Sequence, residues 1–178
     1  TLQSGLVIEF AAKNILPKYG VTIQSASGGL LSGIELRGVK YDKLLSASEI
    51  RFRFDPLSFA NEQLKLSYLD IKELRLDEKE LEKLLKNKTK SEKPEFFKSI
   101  VIEQLSLTMG EIGYKDIKAI STKINSDYLY YDFEKIYANL DSELKTNILD
   151  VKIHGEVLDG NYSFRGSLKP NGSKLWRF

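Results

Sequence analysis

A chain of 178 residues with 42% hydrophobic content is long enough for one domain with a sizeable core and too apolar for wholesale disorder. Lys plus Arg is 27 and Asp plus Glu is 25, a net charge of +2 that gives no reason to expect a nucleic-acid partner. The absence of cysteine excludes disulfides, thiolate catalysis and Cys-ligated zinc, and the single histidine excludes any scheme that needs two.

Residues 4–16, SGLVIEFAAKNIL, predict a short helix. Leu6 and Phe10, and likewise Val7, Ala11 and Ile15, recur at i,i+4 and make one apolar stripe, and Pro17 and Gly20 close the segment. Residues 1–20 therefore read as an N-terminal helix. It either caps a core or sits at the end of a groove or near a membrane. No run approaches the roughly 18 apolar residues of a membrane span. With Thr1 first and no signal pattern, the chain reads as a fragment of a longer protein.

From Val21 the apolar period changes to two, and residues 21–178 read as one β domain. The expected strands are 21–26, 32–41, 44–54, 63–76, 98–109, 111–124, 127–140, 143–157 and 161–169. Gly28-Gly29, Asp55-Pro56, Gly110, Asp159-Gly160 and Asn171-Gly172 punctuate them, the last two as two-residue hairpin signals. Short turns between neighbours predict an antiparallel meander. One helix is expected to interrupt it. Asp77 and Glu80 make a capping-box pattern, and Leu81, Leu84 and Leu85 follow as a single stripe. The polar run KNKTKSEKPE at 86–95 then reads as a mobile loop inside a helix-and-loop insertion at 77–95. IELRGVKYDK (34–43) and LSLTMGEIGYKD (105–116) share a strand–Gly–Tyr–Asp plan, a faint internal repeat.

Each strand is apolar on one face and charged on the other. The apolar rows are Ile34 and Leu36; Ile50, Phe52 and Phe54; Leu64 and Leu66; Leu105 and Leu107; Ile136, Ala138 and Leu140; Leu149, Val151 and Ile153; Phe164 and Leu168. About nine strands offer such a face, and two short helices cannot cover it. Either the sheet closes on itself as a sandwich or barrel with these residues as its core, or it curls and leaves a hydrophobic trough. An exposed trough is an aggregation hazard unless it holds a ligand.

The run GGLLSGIELRGVKYD, an alternating strand, then RFRFDPLSF and LKLSYLDIKELRL resembles the opening of the TamB and AsmA-like family of bacterial envelope proteins. LEKLLKNKTKSEKPEFFKSIVIEQLSLTMGEIGYKD continues in that family's order of helix, loop and second unit. The resemblance covers residues 20 to about 125 and has no catalytic motif. It implies a long curled antiparallel sheet forming a U-shaped hydrophobic groove, or β-taco, in a periplasmic lipid transport protein. Such a protein is anchored in the inner membrane by an N-terminal helix absent from this chain, and carries phospholipid toward the outer membrane. The rows above would then touch acyl chains. The resemblance also implies a possible outer-membrane partner of the Omp85 class. As an alternative, it implies a role as scaffold of a translocation and assembly module that helps insert outer-membrane β-barrels. A plain structural β domain is the third reading.

Tyr128, Tyr130, Tyr131 and Tyr137 alternate poorly and are read as a groove rim or as ordinary strand packing. His154 shares the outward row with Lys152 and Glu156 and is read as structural. No carboxylate pair, phosphate loop or Ser–His arrangement stands out, so neither an enzyme, a cofactor nor a metal is expected.

Overall fold

A computed structural model describes residues 16–29, 31–77, 80, 97–110, 112–114, 117–159, 161–170 and 176–177. These residues are mainly β. Thirteen strands form one sheet: β1 (Val21–Thr22), β2 (Ser25–Gly29), β3 (Gly33–Tyr41), β4 (Leu45–Phe54), β5 (Gln63–Leu76), β6 (Ser99–Ile102), β7 (Leu105–Met109), β8 (Ile112–Tyr114), β9 (Ile117–Tyr131), β10 (Ile136–Thr146), β11 (Leu149–Leu158), β12 (Asn161–Pro170) and β13 (Trp176–Arg177). Two short 3-10 turns accompany them, at Leu16–Tyr19 and Pro56–Asn61. The main order runs β1-β3-β4-β5-β6-β9-β10-β11-β12-β13, with β2 on β3, β7 between β5 and β9, and β8 on β9. The first and last strands of this order do not pair, so the described sheet is open rather than a closed barrel.

The expected strands 32–41, 44–54 and 63–76 correspond to β3, β4 and β5, whereas the expected strand 21–26 is two strands, β1 and β2, and Gly28-Gly29, expected between strands, lies at the end of β2. Asp55 caps the second 3-10 turn by accepting from Leu57 N–H at 3.1 Å, with Pro56 opening it. Asp159 has φ 49° in the two-residue connection between Leu158 and Asn161, which pair across it. The N-cap at Asp77 is present, since its Oδ1 accepts from Glu80 N–H at 3.0 Å. The remainder of that helix, the loop 86–95, Asn171-Gly172 and the expected helix 4–16 apart from Leu16 lie outside the described residues.

Three further expectations are corrected. The sheet is not an antiparallel meander throughout: β5 pairs parallel with both β6 and β7. The chain leaves the far end of β5 at Leu76 and re-enters beside its start, where Gln63 faces Ser99. A parallel neighbour demands such a long crossover, and residues 77–98 supply it. The expected strand 98–109 is two strands on one track, β6 and β7. The expected breaks near 125–126 and 141–142 fall inside β9 and β10. The turns come instead where a side chain can satisfy freed backbone N–H groups. Asp132 accepts from Glu134 N–H at 3.0 Å and Lys135 N–H at 2.7 Å. Thr146 Oγ1 accepts from Ile148 N–H at 3.2 Å and Leu149 N–H at 2.9 Å.

Strict alternation would put Leu66 and Leu69 on opposite faces of β5. The register keeps them together. Leu66 faces Phe54 and Leu69 faces Phe52, so Ser67–Tyr68 contains one extra residue, a bulge. The neighbours make the same three-residue step at the same level. Ile102 and Leu105, beside Leu66 and Leu69, are separated by the break between β6 and β7. In β9 they face Leu129 and Ser126. A second line of irregularity crosses β3 and β5 at Gly38, with φ 59°, and Glu73, with φ 52°. There Ile71 and Leu74 face Leu107 and Met109 across a register shift. Past that line Val39 and Ala47 face one another, 5% and 4% exposed, on the same side as Leu36 and Ile50. Aligned bulges thus hold one continuous apolar face from β3 to β12.

Candidate functional site: the apolar face of the sheet

Cross-strand pairing decides which side chains share a face, because directly opposed residues point the same way. Ile34 opposes Phe52, Leu36 opposes Ile50, and Phe54 opposes Leu66. Leu64 runs beside Ile100, while Leu105 and Leu107 run beside Leu69 and Ile71. Ile136 opposes Tyr131, and Ala138 lies between Leu129 and Val157. Leu140 and Phe164 flank Gly155. Ile153 faces Gly166, Val151 faces Leu168, and Leu149 faces Pro170. Every apolar residue of the sequence-derived rows therefore falls on this one face.

The same pairings add residues that the period-two reading passed over: Leu69, Ile71, Leu74, Ile102, Ile124, Leu129 and Val157. All but Val157 lie beyond a bulge or a strand break, where a strict count of two loses the face. The signal was present as apolar residues three apart, as in Leu66-Ser67-Tyr68-Leu69.

Burial on this face is partial. The most buried apolar members are Ala47 and Ala138 at 4% and Val39 at 5% exposed, followed by Ile34, Ile102, Leu66 and Val157 at 7 to 9%, and no large side chain is fully buried. Phe52 and Phe54 meet edge to face with centroids 5.1 Å apart, yet both keep intermediate exposure. Toward β12 the face opens, with Ile136 at 39%, Phe164 at 62% and Tyr162 at 66% exposed. Among the described residues there is no second sheet, and no helix longer than a 3-10 turn, to lie across it.

The opposite face is a lattice of ion pairs. Glu49 sits among Lys72 at 2.6 Å, Arg51 at 3.2 Å and Arg37 at 3.8 Å, and Arg51 reaches Asp70 at 2.5 Å. The hydrogen bond from Lys72, aided by the charges of Arg51 and Arg37, holds the Glu49 carboxyl below its ordinary value. Lys152 does the same to Glu143 at 2.6 Å. His154 Nδ1 lies 2.7 Å from Asp141, on this outward face as the sequence implied. Tyr130 and Tyr137 form a cross-strand ring pair, with centroids 5.7 Å apart, on this face also. Tyr131 lies on the apolar side, where it faces Ile100.

Open depressions occur on the charged face. One of about 580 Å³ is bordered by Lys123, Asp141, Glu143, Lys152, His154 and Arg165, and a second of about 440 Å³ by Tyr128, Tyr130, Tyr137 and Leu158. In the first, Lys152 forms an ion pair with Glu143 and His154 Nδ1 shares a hydrogen bond with Asp141, so both acids already have partners on an open sheet surface. Among the described residues no group of His, Asp and Glu is placed to hold a metal ion, and no helix is long and apolar enough to cross a membrane. No family model, curated protein or solved structure matches the chain.

Proposed function

We propose that this chain is a segment of a periplasmic, bridge-like lipid transport protein of the TamB and AsmA-like kind. Its apolar face would line a U-shaped groove that shields phospholipid acyl chains between the inner and outer membranes. The observation that carries the reading is the continuity of one partly exposed apolar face from β3 to β12, kept in phase by aligned bulges. Bulges bend and twist strands, which supports a curled rather than a flat sheet. Ile34, Ile102 and Leu66 are buried, at 7%, 8% and 9% exposed, whereas Phe52 and Phe54 are half-buried and Phe164 is exposed on the same face, a mixture that fits a face only partly covered.

Function follows from transfer energetics. Each acyl methylene shielded from water contributes about 0.8 kcal/mol. An unbroken apolar strip keeps that contribution nearly constant along its length. A chain can then slide without a high barrier while its headgroup stays in water. Eight sheet positions from β3 to β12, at about 4.8 Å each, give a path of roughly 35 Å. That is the scale of one or two acyl chains. A membrane-to-membrane bridge would need further segments, an inner-membrane anchor and an outer-membrane partner such as an Omp85-class protein.

Native mass spectrometry after a lipid-retaining purification tests this. A phospholipid mass added to the polypeptide is the expected result, and a bare polypeptide would contradict it.

One feature favours a second reading, a scaffold that pairs with unfolded β-strands of outer-membrane proteins. Among the described residues β12 has a strand partner beyond β11 only at Ser167 and Leu168. Among the described residues its outer edge at 161–165, beside the exposed Tyr162 and Phe164, has no strand partner, which suits it to accept an extended segment. Binding of such strands without competition from lipid would favour the scaffold.

A further inference from the structure

The connections at one end of the strands carry apolar tips. This rim collects the turn between β2 and β3, the 3-10 turn between β4 and β5, the entry to β6 and the turn between β9 and β10. Leu31 and Leu57 stand there 76% and 81% exposed, with Phe59 on the same 3-10 turn as Leu57 and Phe133 in the β9–β10 turn. Phe133 is held at φ 68°, where a bulky side chain is strained and Asn or Gly would sit more easily. Turns that face water are ordinarily polar, and the opposite rim follows that rule with Asp42-Lys43 and Asn147. Apolar residues beside its turns, Tyr41, Leu76 and Ile148, are 38 to 47% exposed, and Ile120 is the extra residue of a bulge inside β9.

Two runs of aromatic contact join this rim to the apolar face. Phe97, Phe59, Phe54 and Phe52 touch in series, with ring centroids 5.6, 6.3 and 5.1 Å apart. Phe133 meets Tyr131 at 5.1 Å, and Tyr131 faces Ile100 on that face. The lysines just behind the tips are already neutralised. Lys98 pairs with Glu62, Lys65 with Glu103 at 2.6 Å, and Lys135 with Asp159 at 3.1 Å.

We infer that this rim rests on the surface of a zwitterionic bilayer, with Leu31, Leu57, Phe59 and Phe133 dipping into it, and that lipid passes from there onto the apolar face. This inference rests on the lipid-shielding reading above. The tips stand on separate connections, spread over roughly 20 Å of strand-to-strand spacing. Separate tips leave a rigid protein partner little continuous area, whereas each can enter a fluid interface by itself. Paired lysines leave no surplus positive charge to select anionic lipid, so a net-neutral surface fits. An acyl chain leaving that surface moves along phenyl rings to the sheet instead of through water.

Flotation of the chain with phosphatidylcholine vesicles tests it. The wild type should float with them. Leu57→Asp and Leu31→Asp should each weaken binding about tenfold or more, and neither should lower the melting temperature, because both side chains already stand in water. Ile148→Asp, on the opposite rim, should bind like the wild type. In Leu57→Trp the new indole should be quenched by bromine-labelled phosphatidylcholine, while Trp176 of the wild type, paired with Leu168 toward the opposite rim, should not. Binding that survives both aspartates, falls equally with Ile148→Asp, or occurs only with anionic vesicles overturns the inference. So does a wild type that does not float, including one that self-associates through Leu57 instead, and any of these leaves the groove reading standing if native mass spectrometry finds bound phospholipid. A chain that floats through this rim but carries no phospholipid would keep the bilayer contact and contradict the groove.

Discussion

Phe52→Glu is expected to yield a soluble protein with β-type circular dichroism that no longer passes lipid. Phe52 lies near the end of β4, between Ile34 and Leu69, and keeps partial exposure on this face. In a closed core its replacement would leave an unpaired buried carboxylate at a cost of several kcal/mol, enough to unfold a domain whose whole stability is about 5 to 15 kcal/mol. At an open face the carboxylate reaches water and the sheet survives. An acyl chain sliding past it meets a step of several kcal/mol, which slows passage roughly a hundredfold or more. Val151→Glu, in β11, should behave in the same way. Arg53→Glu, on the charged face where the guanidinium lies 5.7 Å from the Tyr68 ring centre, serves as the control that leaves passage intact. Insoluble Phe52→Glu and Val151→Glu proteins beside a healthy control would mean that these rows are an ordinary packed core.

Deleting Ser67 should destroy the fold, whereas Ser67→Ala should stay within about 0.5 kcal/mol of the wild type. The bulge at Ser67–Tyr68 lets Leu64 and Leu66 share a face with Leu69, Ile71 and Leu74. Removing one residue turns one of these groups onto the charged side. Each misplaced leucine or isoleucine forfeits up to about 1.5 to 3 kcal/mol, so two or three of them remove about 3 to 9 kcal/mol from a stability of about 5 to 15 kcal/mol. β5 is also a central strand, flanked by β4 on one side and by β6 and β7 on the other, so the error spreads to both neighbours. Urea titration of both variants distinguishes the count of residues from the identity of the serine. Cooperative, wild-type-like unfolding of the deletion variant would show that the bulge is dispensable to the face.

Period two was enough to identify strands and to choose Ile34, Phe52, Leu107 or Val151 for the apolar side, because local alternation survives between bulges. It was not enough to carry a face through a bulge. Leu129 and Ile124 differ in parity, yet they point the same way because β9 takes an extra residue between Ser126 and Leu129. The uneven spacing of Tyr128, Tyr130, Tyr131 and Tyr137 has a related origin: three lie on the charged side and Tyr131 on the apolar side. The parallel pairing of β5 was legible in principle from the length of the 77–98 connection, which far exceeds a hairpin. Turn positions near Asp132 and Thr146 depended on side-chain acceptors that look no different in sequence from Asn125 or Asp141 inside strands. Ion pairs such as Glu49 with Lys72 depend on register across strands, which no local pattern contains.

The central claim is that lipid lies on one face of this sheet and not on the other. A photo-crosslinking amino acid placed in turn at Leu107 and Ile153, and at their chain neighbours Thr108 and His154, tests it when the protein is illuminated in cells and its adducts are identified by mass spectrometry. Leu107 and Ile153 face Ile124 and Ser142 on the apolar side, while Thr108 and His154 face Lys123 and Asp141 on the charged side. Phospholipid adducts at 107 and 153 with none at 108 and 154 are the expected result. Adducts in equal yield on both faces, or none at the two apolar positions, would contradict it.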